Sequence, residues 1–240
     1  MSQQIRAAVV IFPGSNCDRD MIHALRDVMN FDVKEVWHDD AVPADVDMIA
    51  IPGGFSYGDY LRTGVLASLS PVMKSVREHA EKGTLILGVC NGFQILLEAG
   101  LLPGALRRNV GMRFRCRGWH LRAERSDSPF TEAAMLEGDV IHLHIAHGYG
   151  NYYLPSDQVA RHRSQVIFRY CDSAGNVSPE TNPNGSLENI AGISNERGNI
   201  LGMMPHPERA VEHLLGGADG LKIFRAMEHT IRQRAGAFRS

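Results

Sequence analysis

The chain of 240 residues is 44% hydrophobic and 22% charged, enough apolar material for one large core, and a formal net charge of −2 argues against a general nucleic-acid or anionic-membrane binder. The opening MSQQIRAAVVIFPGSN has too short an apolar run for a signal peptide, and no stretch is long enough to span a bilayer, so a cytosolic setting is expected. Cys17, Cys90, Cys116 and Cys171 form no C-x-x-C pair, which speaks for free thiols rather than a zinc framework or disulfide scaffold, and the sequons at Asn176 and Asn184 are expected to be idle.

In chain order, IRAAVVIF reads as a buried strand and DRDMIHALRDVMN as an amphipathic helix. VKEVWH and VDMIAIP follow as strands. The next helix has Ser70 as N-cap, Pro71 at its first position and Gly83 just past its end. TLILGV is a further strand, and NGFQILLEA a helix closed by Gly100. This alternation predicts an α/β protein with a mainly parallel sheet covered on both faces, and sites in such sheets form outside the carboxyl ends of the strands. Cys90 sits at one of those ends. The second half changes character: MRFRCRGWHLRAE, DVIHLHIAHG, QVIFRYC, ENIAGIS and NILGMMP alternate like antiparallel strands, with a turn-rich stretch between two of them. A closing helix sets Leu221, Phe224, Met227 and Ile231 on one face. No repeat or linker divides the chain, so one domain over 1–240 is expected.

Gly88-Val89-Cys90-Asn91-Gly92 has the spacing of a nucleophile elbow, G-x-S-x-G, with cysteine in place of serine. A sharp strand-to-helix turn pushes the central side chain outward, and side chains two positions either side would collide. The helix that follows aims free N–H groups and its positive end at the sulfur, which favours thiolate, and the N–H of Asn91 is placed to hold a developing oxyanion. A thiol nucleophile needs a base, and the base an orienting group. GMMPHPERA supplies His206 and Glu208 at i and i+2, which project from one face of an extended chain, and Pro205 and Pro207 bias the backbone that way.

GVCNGFQ resembles the G-x-C-x-G-x-Q elbow of the class I, triad-type glutamine amidotransferases, and PHPE resembles their His-x-Glu pair. Five blocks between 12 and 210, FPGSNCDRD, PGGFSYGDYLRTG, GVCNGFQILLEAGLLPGAL, NPNGSLENIAGI and GMMPHPERA, are similar to those of the glutaminase subunits of purine synthesis within that family. The resemblance implies a flavodoxin-like class I glutaminase fold, a mainly parallel sheet flanked by helices with added antiparallel strands. It implies attack by Cys90 on the side-chain amide of glutamine, with His206 as proton carrier and Glu208 behind it. Gly54 and Asn91 would form the oxyanion hole, and Gln94, Phe55 and Ser56 would line the substrate pocket. Ammonia would pass to a separate synthetase subunit, bridged by a small third subunit, which converts formylglycinamide ribonucleotide to formylglycinamidine ribonucleotide. ATP and magnesium would bind that partner, with no cofactor in this chain. Two other readings stay open from the residues alone: another flavodoxin-like cysteine hydrolase, against which Asn91 rather than histidine follows the cysteine, and a binding module that keeps the elbow as structure.

Cys17 lacks the flanking glycines and has Asp18 and Asp20 nearby, so it is set aside as nucleophile. Seven arginines lie between 107 and 125, with Arg113, Arg115 and Arg117 at strand spacing and Phe114 and Cys116 expected on the other side; a solvated face and a docking surface are both open. His142, His144 and His147 lack a supporting carboxylate or cysteine, so no metal site is expected there. Tyr149 stands where the family usually carries an acidic residue, which puts any carried-over role at that position in doubt.

Overall fold

The structure is a computed structural model describing residues 4–237. In chain order it contains β1 (Arg6–Ile11), α1 (Asp18–His23), β2 (Asp32–Trp37), β3 (Met48–Ile51), α2 (Val65–Ser68), α3 (Val72–Lys82), β4 (Leu85–Val89) and α4 (Asn91–Glu98). There follow β5 (Ala105–Arg107), β6 (Arg115–Ala123), β7 (Val140–His147), β8 (Asn151–Tyr153), α5 (Ser156–His162), β9 (Val166–Cys171), β10 (Ile190–Ser194), β11 (Ile200–Met203) and α6 (Leu221–Ala237).

One sheet carries nine of these strands in the order β2-β1-β3-β4-β11-β10-β9-β6-β7. From β2 to β11 every neighbouring pair is parallel, and from β11 to β7 every pair is antiparallel. The expected combination of a parallel sheet with antiparallel additions is therefore present, and β11 is where the two halves meet. The segment NILGMMP reads from its pattern as one of the antiparallel strands; it pairs antiparallel with β10 but runs parallel to β4, with Gly202 opposite Gly88 and Met203 opposite Val89. Its four residues are all buried, as a strand covered on both faces must be.

Two local readings need correction. The first helix is regular only to His23; Ala24–Val28 is a wider π turn, in which the Met29 N–H reaches back to the Ala24 carbonyl. Ser70 is not a side-chain cap, because its hydroxyl is engaged by the Tyr57 hydroxyl at 2.9 Å, and α3 starts at Val72 behind Pro71. At the other end Gly83, at φ +85°, closes the helix as expected. The small β5–β8 ribbon and the short α2 and α5 carry too few residues for a periodic signal.

The core follows from the apolar runs. β1, β3 and β4 are buried along nearly their whole length, and α6 puts Phe224, Met227 and Ile231 into the core with Leu221 half-buried at its start. Side chains of that size contribute roughly 1.5–3 kcal/mol each on burial, which anchors the strand ends that carry the site.

Candidate active site

β4 ends at Val89, and Cys90 turns the chain into α4 with φ 52° and ψ −105°. That conformation costs an L residue on the order of 1–3 kcal/mol and persists only where its surroundings enforce it. They do so here. A Cβ on Gly92 would stand 1.9 Å from the carbonyl oxygen of Ile51, and one on Gly88 would stand 2.4 Å from Leu96 and 2.8 Å from the Gly92 oxygen. α4 is thus seated directly on β3 and β4, and the Cys90 N–H is tied to the Met203 carbonyl at 2.8 Å. The first N–H groups of α4, beginning with Asn91, have no acceptor within the helix, and Cys90 is the residue that precedes them.

Since β11 runs parallel beside β4, the chain leaving it passes the elbow. The His206 N–H donates to the His144 carbonyl at 2.8 Å, which pins this turn against β7. His206 Nδ1 and Glu208 Oε1 are 2.6 Å apart, and both residues are about 1% exposed. The expected i, i+2 extended geometry holds only for His206; Pro207–Arg209 forms a tight 3-10 turn, whose first position suits the fixed φ of proline. The two side chains meet across that turn rather than along a strand. Burial works against a charged His206 ring. The Glu208 carboxylate, the Cys90 sulfur and polar contact with the Cys17 and Cys90 thiols outweigh it and hold the pKa well above the ordinary imidazole value.

A cavity of about 270 Å³ opens on Cys90, walled by Gly54, Phe55, Asp59, Thr63, Gln94, Arg108, His147 and Tyr149 among others. Gly54 adopts φ +149°, and a Cβ there would press within 2.8 Å of both Ser15 and Asn16, so only glycine brings this backbone to the cavity. Three hydrogen bonds lock the walls together. Asn91 Oδ1 accepts the Ser56 N–H at 3.0 Å, Asn91 Nδ2 donates to Gln94 Oε1 at 2.9 Å, and Gln94 Nε2 donates to the Tyr149 carbonyl at 2.9 Å. Both ends of Gln94 are therefore used by the protein, and it shapes the pocket rather than offering a free amide. Phe55 lies in the wall, whereas Ser56 is buried behind it and held through its backbone. The Tyr149 contact runs through its carbonyl, so the departure from an acidic residue leaves that link intact.

Sequence reasoning passed over Asp59, counted Arg108 only within the arginine-rich segment and weighed His147 only as a metal ligand. Asp59 Oδ1 is buried without a partner, and burial raises its pKa. Arg108 lines the same cavity, 5.4 Å from the Tyr149 ring centre. His147 is parted from His142 and His144 by the alternation of β7, which buries it beside the cavity, and burial followed by the charge on His206 lowers its pKa to about 4. No spacing rule joins these residues, because they come from separate loops and a strand.

Cys17 is nearer His206 and Glu208 than its sequence suggested. Its sulfur accepts from Arg209 Nη2 at 3.0 Å, and Arg209 Nε donates to Asp20 at 3.1 Å. In the arginine-rich segment, Arg122 and Arg125 are paired with Glu124 and Asp127, while Arg107 and Arg117 lie over the Tyr153 and Trp119 rings. Phe114 and Cys116 are both exposed, so neither faces a core.

A strained cysteine at a helix N-terminus, backed by a buried histidine and carboxylate, is the equipment of acyl transfer from an amide. Relatives agree with it. The chain is 52% identical over 224 residues to phosphoribosylformylglycinamidine synthase subunit PurQ of Salinibacter ruber, covering 92% of this chain and 95% of that protein. It is 52% identical over 231 residues to the subunit of the same name from Pseudothermotoga lettingae, covering 96% and 97%. In the solved structure of PurLQS from Thermotoga maritima, a chain 44% identical superposes with a TM-score of 0.85, covering 95% of this chain and all of that one. With residues 4–217 matching the model of the CobB/CobQ-like glutamine amidotransferase domain, the chain belongs to that family.

Proposed function

We propose that this chain is the glutaminase subunit of a phosphoribosylformylglycinamidine synthase, and that Cys90, His206 and Glu208 are its catalytic residues. The observation that carries the reading is the contact of the buried His206–Glu208 pair with the strained Cys90, which itself lines a cavity of about 270 Å³. Glutamine enters with its side-chain amide toward Cys90. The sulfur attacks the amide carbon, and the N–H groups of Asn91 and Gly54 hold the oxygen that becomes negative. His206 gives a proton to the departing nitrogen, so ammonia leaves and a γ-glutamyl thioester remains. Water, deprotonated by His206, then cleaves the thioester to glutamate and restores the thiol. Glu208 keeps the imidazole in the orientation and tautomer that this sequence of transfers requires. Asp59 and Arg108 complement the α-ammonium and α-carboxylate of the amino acid.

The ammonia is consumed by a synthetase subunit in the same assembly, with a small bridging subunit between them, in the conversion of formylglycinamide ribonucleotide to formylglycinamidine ribonucleotide in purine biosynthesis. ATP and magnesium belong to the synthetase, and this chain works without a cofactor of its own, as a single domain over 1–240. The setting is cytoplasmic; no described helix is long and apolar enough to cross a membrane.

The test uses the assembled complex. A glutamine-mimicking electrophile labels Cys90, located by mass spectrometry, and Cys90→Ala abolishes glutamine-dependent synthesis while sparing synthesis from added ammonia. Labelling at Cys17 instead, or loss of both activities in Cys90→Ala, would refute the assignment.

A further inference from the structure

Cys17 plays no part in the chemistry above, yet it stands with two residues that do. Its Sγ, a ring nitrogen of His206 and a carboxylate oxygen of Glu208 all lie within 4.8 Å of one another, the only such group of three potential metal ligands among the described residues. The three residues are 3%, 1% and 1% exposed. Of their polar atoms, Glu208 Oε2 is buried with no hydrogen-bond partner, while the His206 ring touches both thiols and Glu208 Oε1. Buried polar atoms are normally satisfied, so an unpartnered carboxylate oxygen beside an imidazole and a thiol marks a place suited to a cation.

We propose that Cys17, His206 and Glu208 form a site for a zinc-like divalent cation, and that its occupancy reversibly silences the glutaminase. One sulfur, one imidazole nitrogen and one carboxylate oxygen suit Zn(II) and select against magnesium and calcium, which prefer oxygen alone. Zinc bonds of about 2.0–2.3 Å set tetrahedral ligands roughly 3.5 Å apart, so the trio closes on the ion with side-chain movements of about 1 Å or less. Water or the Cys90 sulfur completes the four. The ion would displace the Arg209 guanidinium from the Cys17 sulfur and return Arg209 to Asp20, which it already contacts. Entry need not pass through bound glutamine, because a separate cavity of about 590 Å³ is lined by Asp20, His23, Glu208 and Arg209. Metal at this site removes His206 from the proton transfers. The site itself depends only on where three side chains stand, whereas the silencing rests on the role assigned to His206.

Binding is therefore read separately from activity. Zinc chloride is titrated against the full chain in competition with a chromophoric chelator, and X-ray absorption at the zinc edge is recorded on Cys90→Ala. The expected result is one zinc per chain in both wild type and Cys90→Ala, with one sulfur neighbour at about 2.3 Å beside nitrogen and oxygen. Cys17→Ala binds zinc roughly tenfold or more weakly, in keeping with the loss of a metal-site residue. In the assembled complex, zinc slows glutamine-dependent synthesis by wild type but leaves ammonia-dependent synthesis intact, and the inhibiting concentration rises by the same factor in Cys17→Ala. Wild-type affinity in Cys17→Ala, or no sulfur neighbour in Cys90→Ala, overturns the site. If Cys17→Ala does not fold, the sulfur count in Cys90→Ala decides alone. Zinc bound by the trio without loss of glutamine-dependent synthesis overturns the silencing. Failure of the glutaminase reading shows instead in the metal-free Cys90→Ala synthesis assay.

Discussion

Replacing Gly92 with alanine tests whether the elbow is held by close packing. The added Cβ would lie 1.9 Å from the Ile51 carbonyl oxygen, where real contacts do not fall below 3.0 Å, so α4 must retreat from β3 by about 1 Å. The obstacle is backbone in the middle of the sheet and has no rotamer to yield. Overpacking of this kind costs about 1–3 kcal/mol. For a chain of this size that is a fall in Tm of roughly 2–12 °C. The catalytic cost is larger, because the retreat carries the Asn91 N–H and the Cys90 sulfur with it, and a misplacement near 1 Å costs about 10²-fold in rate. Calorimetry gives Tm, and glutamine-dependent synthesis in the complex gives kcat, with ammonia-dependent synthesis as the internal control. Gly236→Ala is the matched comparison, since a Cβ there meets nothing within 4 Å. It leaves both quantities unchanged or slightly raises Tm through helix propensity. A Gly92→Ala enzyme with wild-type Tm and kcat within threefold would refute the packing argument.

Glu208→Gln keeps the size of a fully buried side chain but replaces the acceptor at His206 Nδ1 with a group that can also donate, which permits the wrong tautomer. A fall in kcat of roughly 10²–10⁴-fold with little change in KM is expected, and a drop below threefold would remove Glu208 from the mechanism. His147 bears on stability and pH. Its folded pKa, lowered from 6.5 to about 4, lies below the unfolded value, so the unfolded state binds the extra proton and stability is lost as pH falls from about 6.5 to about 4. That shift corresponds to roughly 3 kcal/mol, and Tm measured against pH should decline less steeply over this range in His147→Gln than in wild type. Parallel pH profiles would show that His147 is not the group responsible.

Local chemistry made much of the site readable in advance. Gly88, Cys90 and Gly92 announce a sharp turn because side chains at those spacings collide whatever the rest of the fold does. Apolar runs place β1, β3 and β4, since burial on both faces leaves no room for polar alternation. Gly83 ends α3 because a left-handed residue is needed there. Other features depended on distant partners. Ser70 has the composition of an N-cap but was claimed by Tyr57, thirteen residues earlier in the chain. The His206–Glu208 contact formed, though across a 3-10 turn that spacing alone did not distinguish from an extended pair.

What the residue order determines, then, is which groups are made ready: a thiol at a strained turn, a histidine between prolines, a carboxylate two positions on. Which of them meet was decided by the sheet. β11 could have joined the antiparallel half alone, as its sequence suggested. Its parallel register with β4 sets Met203 beside Val89, so the chain emerging from it delivers His206 to Cys90. The same packing drew Cys17, Asp59, Arg108 and His147 around the triad from four separate stretches. Their proximity is a long-range consequence of burying one continuous core, and no local pattern encodes it.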